Sequence, residues 1–140
     1  MKLKTAAAIC LCLAGAPLLP QTTQTAYGYS QAYEPQGSER RAIMDALRRP
    51  VSRRLGQTVI FHVSSLKAKR GWAYLRGAAH KTNDSSFGPD KAWGVVEALL
   101  HKEGSRWKVM VWGQATDVSM DEKAQRDYPD APHSIFESND

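Results

Sequence analysis

The chain has 140 residues, a formal net charge of +5 at pH 7, and two cysteines, Cys10 and Cys12. This length suits one domain with a single hydrophobic core. Because both cysteines lie within the first 12 residues, the remainder cannot form a disulfide, a thiolate metal site or a cysteine nucleophile.

The N-terminus has the layout of a secretory signal. Lys2 and Lys4 are followed by residues 5–19, which carry no charge and are rich in Ala and Leu. This run is shorter than the roughly 20 residues that a membrane-spanning helix needs, and no later run matches it. We therefore predict cleavage between residues 20 and 28, a mature chain without a transmembrane segment, and a periplasmic or secreted location.

The chain then divides into three parts. Residues 1–28 are the predicted signal peptide and cleavage region, 29–37 a flexible lead-in with a Pro-Gln-Gly break, and 38–140 a single α+β domain. Charge is uneven within that domain, because basic residues concentrate in its first half and acidic residues at its end.

The domain opens with a helical pattern. Apolar side chains recur at spacings of four: Ile43, Leu47, Val51 and Leu55. Ser38 can cap the start of this helix. Pro50 interrupts this stripe, so we predict a helix over 39–49 and a separate turn that ends at Gly56.

Four strands and a short helix follow. Alternating patterns predict strands at 58–66, 72–76, 93–101 and 106–115, with a loop over 79–91. A capping-box pattern predicts a helix over 120–127. Two prolines then break the chain before Ile135 and Phe136, which we expect to pack back onto the body.

This order predicts an α+β fold: an N-terminal helix packed on a curved four-stranded antiparallel sheet, with a short C-terminal helical segment. Three segments resemble parts of known families: the helix at 38–49, the Trp72-Ala73-Tyr74 strand and the hairpin exit at 104–109. The chain resembles the cystatin-like and nuclear transport factor 2-like proteins, and a set of small exported bacterial proteins of unknown function. The resemblance implies a cystatin-like fold and no particular activity.

No catalytic motif accompanies this fold. The sequence lacks a Gly-x-Ser-x-Gly elbow, a phosphate-binding glycine loop and zinc-type histidine spacings, so we predict no catalytic residues, metal or cofactor. The histidines stand alone, although His62 and His101 lie on predicted strands and could meet across the sheet.

Glu97 is the most informative carboxylate, because it interrupts an apolar strand. A buried charge without a partner is costly, so Glu97 must either face solvent or pair with Arg76 on the second strand. We expect the solvent-facing arrangement and retain both residues as candidate binding residues.

Arginine doublets are the most distinctive feature of the helix. Arg41, Arg48 and Arg49 lie on its polar side, with Asp45 placed to pair with Arg41 and Arg49 at spacings of four. This face could bind an anionic partner such as lipid headgroups, a wall polymer or an acidic protein. The favoured alternative is a solvated face that the acidic C-terminal segment complements.

Trp112 is the remaining candidate. Trp107 and Trp112 have opposite parity on one strand, so they face opposite sides unless a bulge intervenes. One of them would then line the open face of the sheet as part of a shallow groove.

These observations favour a non-enzymatic, exported binding protein of the periplasm or envelope, in the manner of an inhibitor or immunity-type factor. Its expected partner is another envelope or secreted protein, not nucleic acid. The first alternative is a small-ligand carrier or enzyme with a pocket between helix and sheet, formed by His62, Glu97, His101 and Trp112. The second is charge-driven association with an anionic envelope surface.

Overall fold

A computed structural model describes residues 31–82, 94–115 and 120–137. The predicted signal peptide at 1–28, most of the predicted loop at 79–91, and Trp93 at the start of the third predicted strand lie outside these ranges. Within them, no helix is long and apolar enough to cross a membrane.

The described residues form two helices, four strands and one 3-10 turn. In chain order these are α1 (Gly37–Leu55), β1 (Val59–Lys69), β2 (Trp72–Lys81), β3 (Val95–Glu103), β4 (Arg106–Gln114), α2 (Met120–Asp127) and the 3-10 turn (His133–Ile135). The strands form one antiparallel sheet in the order β1-β2-β3-β4, so each strand pairs with its sequence neighbour.

Helix α1 runs without interruption through Pro50, so the predicted break after residue 49 is wrong. The missing N–H of a proline inside a helix costs about 3 kcal/mol. Leu47 and Val51 are both fully buried against the sheet on either side of Pro50, and their packing offsets that cost. The helix ends as predicted at Gly56, which adopts the left-handed conformation with φ of 67°.

Helix α1 also begins earlier than expected. Its first residue is Gly37, and Gln36, not Ser38, occupies the capping position. The lead-in before it adds to the sheet, because Tyr33 and Ala68 exchange two backbone hydrogen bonds of 2.9 and 2.7 Å. Pro35 is fully buried beside this bridge.

Strand β2 is longer than predicted. It continues to Lys81, so residues 79–81 belong to the sheet and not to the loop expected at 79–91. Pairing with β1 explains the extension, because Ala79, His80 and Lys81 lie opposite β1 residues in the ladder. The hydrogen bonds of an antiparallel ladder satisfy backbone groups that a loop would leave to solvent.

Two β-bulges shape the sheet. In β1, Ser64 is the extra residue between the pairs Val63–Gly77 and Ser65–Arg76. Gly77 is required opposite this bulge, since an added Cβ would lie 2.5 Å from the His62 carbonyl oxygen. In β4, Met110 is the extra residue, and a bulge reverses the parity of the side chains that follow it.

The larger core lies between α1 and the sheet. Ile43, Leu47 and Val51 of α1 are fully buried there. The sheet contributes alternate residues of all four strands, among them the following: Val59, Leu66, Ala73, Leu75, Val96, Ala98, Leu100 and Trp107.

A second core lies on the opposite face of the sheet, beneath the C-terminal segment, residues 120–137. Tyr74 and Leu99 of the sheet pack there against Ala124, Ala131 and Ile135. Phe136 also contacts Tyr74, with ring centroids 4.8 Å apart, so the apolar pair at 135 and 136 packs onto the body as predicted.

The predicted fold class is therefore confirmed: a helix, a curved four-stranded antiparallel sheet and a short C-terminal helix in an α+β arrangement. Helix α2 has the predicted bounds of 120–127. The C-terminal segment covers part of the sheet face that the sequence had left open, which makes the domain three layers deep.

Candidate functional site

The candidate residues lie in three separate places and do not form one site. Arg41, Arg48 and Arg49 are on α1, outside the larger core. Arg76 and Glu97 face the C-terminal segment, and Trp112 packs on the α1 side of the sheet.

Arg76 and Glu97 form an ion pair across β2 and β3. They are directly opposite in the ladder, and both Nε and Nη2 of Arg76 contact Oε1 of Glu97. The Glu97 side chain is 0% exposed and that of Arg76 is 43% exposed. The expected solvent-facing Glu97 is therefore wrong; the strand carries it under the C-terminal segment, where only pairing with Arg76 makes its charge tolerable.

Glu97 also holds the start of α2. Its second oxygen, Oε2, accepts a hydrogen bond of 3.3 Å from the backbone N–H of Met120. The first N–H groups of a helix have no partner within the helix, and a carboxylate there is favourable. The buried pair thus attaches the C-terminal segment to the sheet.

Tyr74 lies in the same layer with its hydroxyl buried. Among the described residues, no group forms a hydrogen bond of normal geometry with Tyr74 Oη. Burial, followed by the negative charges of Glu97 and Asp121, raises the pKa of Tyr74 well above its ordinary value. The hydroxyl therefore stays protonated and is a cost to the fold in this position.

Other polar contacts fix the rest of the C-terminal segment. Lys67 Nζ donates to the Glu137 carbonyl oxygen at 2.6 Å, and Tyr128 Oη donates to the Met110 carbonyl oxygen at 3.1 Å. The second contact uses the bulge in β4, whose extra residue points a backbone acceptor away from the ladder.

The arginines of α1 differ in their surroundings. Arg48 is half-buried, pairs with Asp45, and donates from Nε to the Val59 carbonyl oxygen at 3.2 Å. The predicted pairing of Asp45 with Arg41 and Arg49 is thus wrong, because Asp45 is taken by Arg48 three residues on. Arg41 and Arg49 are exposed, and no described carboxylate lies within ion-pair distance of either.

The acidic C-terminal segment does not complement this arginine face. Helix α1 and the C-terminal segment pack on opposite faces of the sheet. The favoured explanation of the arginine doublets was a solvated face balanced by that segment. Within the described residues the face is exposed, but the charge balance by that segment is wrong.

The histidines do not converge. His62 lies beside His80, with ring centroids 5.0 Å apart, while His101 lies against Trp72 at 4.2 Å. His62 and His101 pair with Ala78 and Trp72 of β2, about 20 Å apart along that strand. His62 and His101 therefore do not meet across the sheet, and the described residues contain no group of three potential metal ligands.

Trp107 and Trp112 face the same side. Their spacing would put them on opposite faces of a regular strand. The extra residue at Met110 reverses this, so both pack against the larger core beneath α1. Neither therefore lines the opposite face. Trp112 borders a hollow of about 230 Å³ at the end of α1, where the Arg54 guanidinium carbon lies 6.0 Å from its ring centroid.

A larger groove, of about 460 Å³, runs along the outer edge of β1. Its walls are residues 31–34 of the lead-in, residues 63–67 and Lys69 of β1, and Ser134 and Glu137 of the C-terminal segment. The sequence analysis did not predict this groove. Its one signal was Ser64-Ser65, which interrupts the apolar alternation of the strand and marks the bulge beside the groove.

The backbone of β1 is open along this groove. Thr58 faces β2, because its carbonyl oxygen accepts a hydrogen bond from Thr82 N. The backbone N–H and C=O of the next residue, Val59, bond to side chains of α1 and therefore point away from β2. Since this direction alternates along a strand, the odd-numbered residues before the bulge point their backbone groups outward. Side chains of α1 cover Val59, and Tyr33 covers Ala68. Between them, no described group is hydrogen-bonded to the outward groups of Phe61 and Val63.

Comparison of the chain with known protein families, with curated proteins and with solved structures gave no significant match.

Proposed function

We propose that this protein is an exported binding protein that holds an extended segment of another envelope or secreted protein along the outer edge of β1. It acts in the manner of an inhibitor or immunity-type factor in the periplasm or envelope. The observation that carries the proposal is the row of outward backbone groups at Phe61 and Val63 beside a groove of about 460 Å³. An added strand would pair with those groups.

The shape of the edge supports a foreign segment in preference to a second copy of β1. A flat edge strand pairs readily with its own kind, whereas a bulge twists the edge and breaks its regular register. Here the bulge at Ser64 lies in the middle of the open stretch. A partner strand must therefore form backbone hydrogen bonds with Phe61 and Val63 before the bulge and with Leu66 after it.

The groove also has a polar lining that suits a peptide. Lys67, Glu34 and Glu137 stand around it with both signs of charge, and Ser64 and Ser65 add hydroxyls. Main-chain pairing supplies affinity in strand addition, and flanking side chains supply specificity. The helix-then-sheet order further supports a cystatin-like class for the fold.

The carrier or enzyme alternative has less support. Its four residues lie apart: Glu97 is paired with Arg76, the two histidines are at opposite ends of the sheet, and Trp112 is on the α1 side. The hollow beside Trp112 and Arg54 is half the volume of the β1 groove. A reaction needs groups within hydrogen-bond reach of one substrate atom.

The experiment is a capture assay with the purified chain and two variants at Val63, using envelope extract and culture medium from its own organism. Val63 pairs with Gly77 at a position whose N–H points outward, so Val63→Pro removes an outward donor and leaves the β2 ladder intact. Val63→Ala is the matched control, because it removes side-chain volume but keeps the N–H.

We expect one protein to be retained by the wild type and by Val63→Ala at low and raised salt, and to be lost with Val63→Pro. Hydrogen exchange of the complex should show protection of the Phe61 and Val63 amides. Equal retention by both variants would place the partner elsewhere. Absence of any specific capture would contradict the binding function and favour the carrier or enzyme.

A further inference from the structure

The outer face of α1 carries a row of three exposed arginines that no other part of the described structure uses. Arg41, Arg49 and Arg53 are spaced by eight and four residues, which places them on one side of the helix over about 18 Å. No described carboxylate lies within ion-pair distance of any of them. Asp45, the acid within the row, is taken by Arg48.

The largest group of described carboxylates lies on the other side of the sheet. The C-terminal segment carries five described carboxylates: Asp121, Glu122, Asp127, Asp130 and Glu137. Two layers of roughly 10 Å each, α1 and the sheet, separate that segment from the outer face of α1. This exceeds the Debye length of about 8 Å at physiological salt, so the acids do not neutralise the arginine row.

The row is flat. The hollow beside it has as its walls only side chains of α1 itself: Asp45, Arg48, Arg49 and Ser52. No second element rises beside the helix to enclose a single small anion. An extended anionic surface can engage all three guanidinium groups at once, and each guanidinium can bind a phosphate through two hydrogen bonds.

We propose that the outer face of α1 docks on an anionic phospholipid surface, with Arg41, Arg49 and Arg53 bound to headgroup phosphates. In this orientation the acidic C-terminal segment points away from the lipid, which avoids its repulsion. The β1 groove stays at the side of the molecule. The inference is independent of peptide binding at that groove.

The test is co-sedimentation of the purified full chain with vesicles of phosphatidylcholine alone, or of phosphatidylcholine and phosphatidylglycerol in equal parts. Each arginine near an anionic surface contributes roughly fivefold to binding. The Arg41→Gln/Arg49→Gln/Arg53→Gln variant should therefore bind the mixed vesicles about a hundredfold more weakly than the wild type. Binding by the wild type should fall steeply as salt is raised.

A matched control loses the same charge elsewhere. Arg70, Arg106 and Lys108 are exposed on the two hairpins and not on α1, and their triple change to Gln should lower binding far less. All variants keep the same N-terminus, so any contribution from it cancels, and thermal unfolding establishes that each is folded. Equal loss in both variants, equal binding to neutral and anionic vesicles, or binding to an acidic protein but to no vesicle would each overturn the proposal.

Discussion

The two faces of the sheet are covered in different ways. Under α1 the core is mainly aliphatic, and Ile43, Leu47 and Val51 of α1 are fully buried in it. Under the C-terminal segment the core is smaller and more aromatic, and it contains the buried carboxylate of Glu97 and the buried hydroxyl of Tyr74. The first face is held by dispersion and burial, whereas the second depends on a few polar contacts.

This difference predicts two levels of stability in one domain. Loss of the α1 layer exposes the larger core and should unfold the whole sheet. Loss of the C-terminal segment exposes less apolar surface and breaks a small number of contacts, so it should open locally at lower free energy. Six variants at five residues examine this comparison.

Leu47→Ala should have the largest effect. Leu47 is fully buried between α1 and the sheet, and such a truncation costs about 3 kcal/mol of unfolding free energy. Ile135→Ala, equally buried under the other layer, should cost less globally and should accelerate hydrogen exchange mainly at residues 120–137. Denaturant unfolding and hydrogen exchange measure both. If the two variants lose equal global stability, the two faces are one cooperative unit.

Glu97→Ala should rank second, at about 2 kcal/mol. Breaking a fully buried pair costs more, but Arg76 is 43% exposed and can rehydrate when its partner is lost. The Met120 N–H also loses its acceptor, so exchange in α2 should rise. Glu97→Gln keeps an acceptor for that N–H and should be milder. A Gln variant as unstable as the Ala variant would show that charge, and not the hydrogen bond, holds α2.

Tyr74→Phe should be neutral or stabilising by up to about 1 kcal/mol at pH 7, because it removes a buried hydroxyl without a hydrogen bond. The pKa of Tyr74 is raised in the folded state by burial, so below the ordinary value of 10.0 both the folded and the unfolded chain keep this proton and the group adds no pH dependence to stability. Above that pH the unfolded chain loses the proton first, and stability falls. Unfolding measured from pH 9 upward should show a shallower decline for the Phe variant; parallel curves would contradict the raised pKa.

Asp127→Asn should have the smallest effect. A hydrogen bond from Lys123 holds the pKa of Asp127 below its usual value, with Arg126 adding to the shift. The stability that this carboxylate contributes is present above the ordinary pKa and is lost as pH falls through the lowered one. Because Asp127 is exposed, we expect a change visible in α2 by NMR titration but not in global unfolding. A clear global shift would mean that α2 is coupled to the whole domain.

Local patterns in the sequence predicted the elements because periodicity and turn residues act over a few neighbours. The stripe of Leu47 and Val51 predicted α1, the glycine at 56 predicted its end, and the capping pattern predicted α2. Pro50 was misleading, because a local rule cannot weigh the burial of the side chains that flank it.

The candidate site was harder to predict from the sequence, because it depends on which residues come into contact in the fold. Arg76 was named as the alternative to solvent for Glu97, but the solvent-facing arrangement was expected, because the burial of Glu97 follows from the C-terminal segment that folds over it. The side on which Trp112 lies was set by a bulge at Met110, which shifts every later side chain to the opposite face.

The sequence by itself determined the helices, the strands and their antiparallel order, because hydrophobic period and short hairpin turns specify these locally. Only the tertiary structure decided that the basic and acidic ends of the chain lie on opposite faces of the sheet. It also decided that an open backbone edge remains at Phe61 and Val63. Both outcomes depend on which layer each segment packs against, and that choice arises from long-range burial of apolar surface.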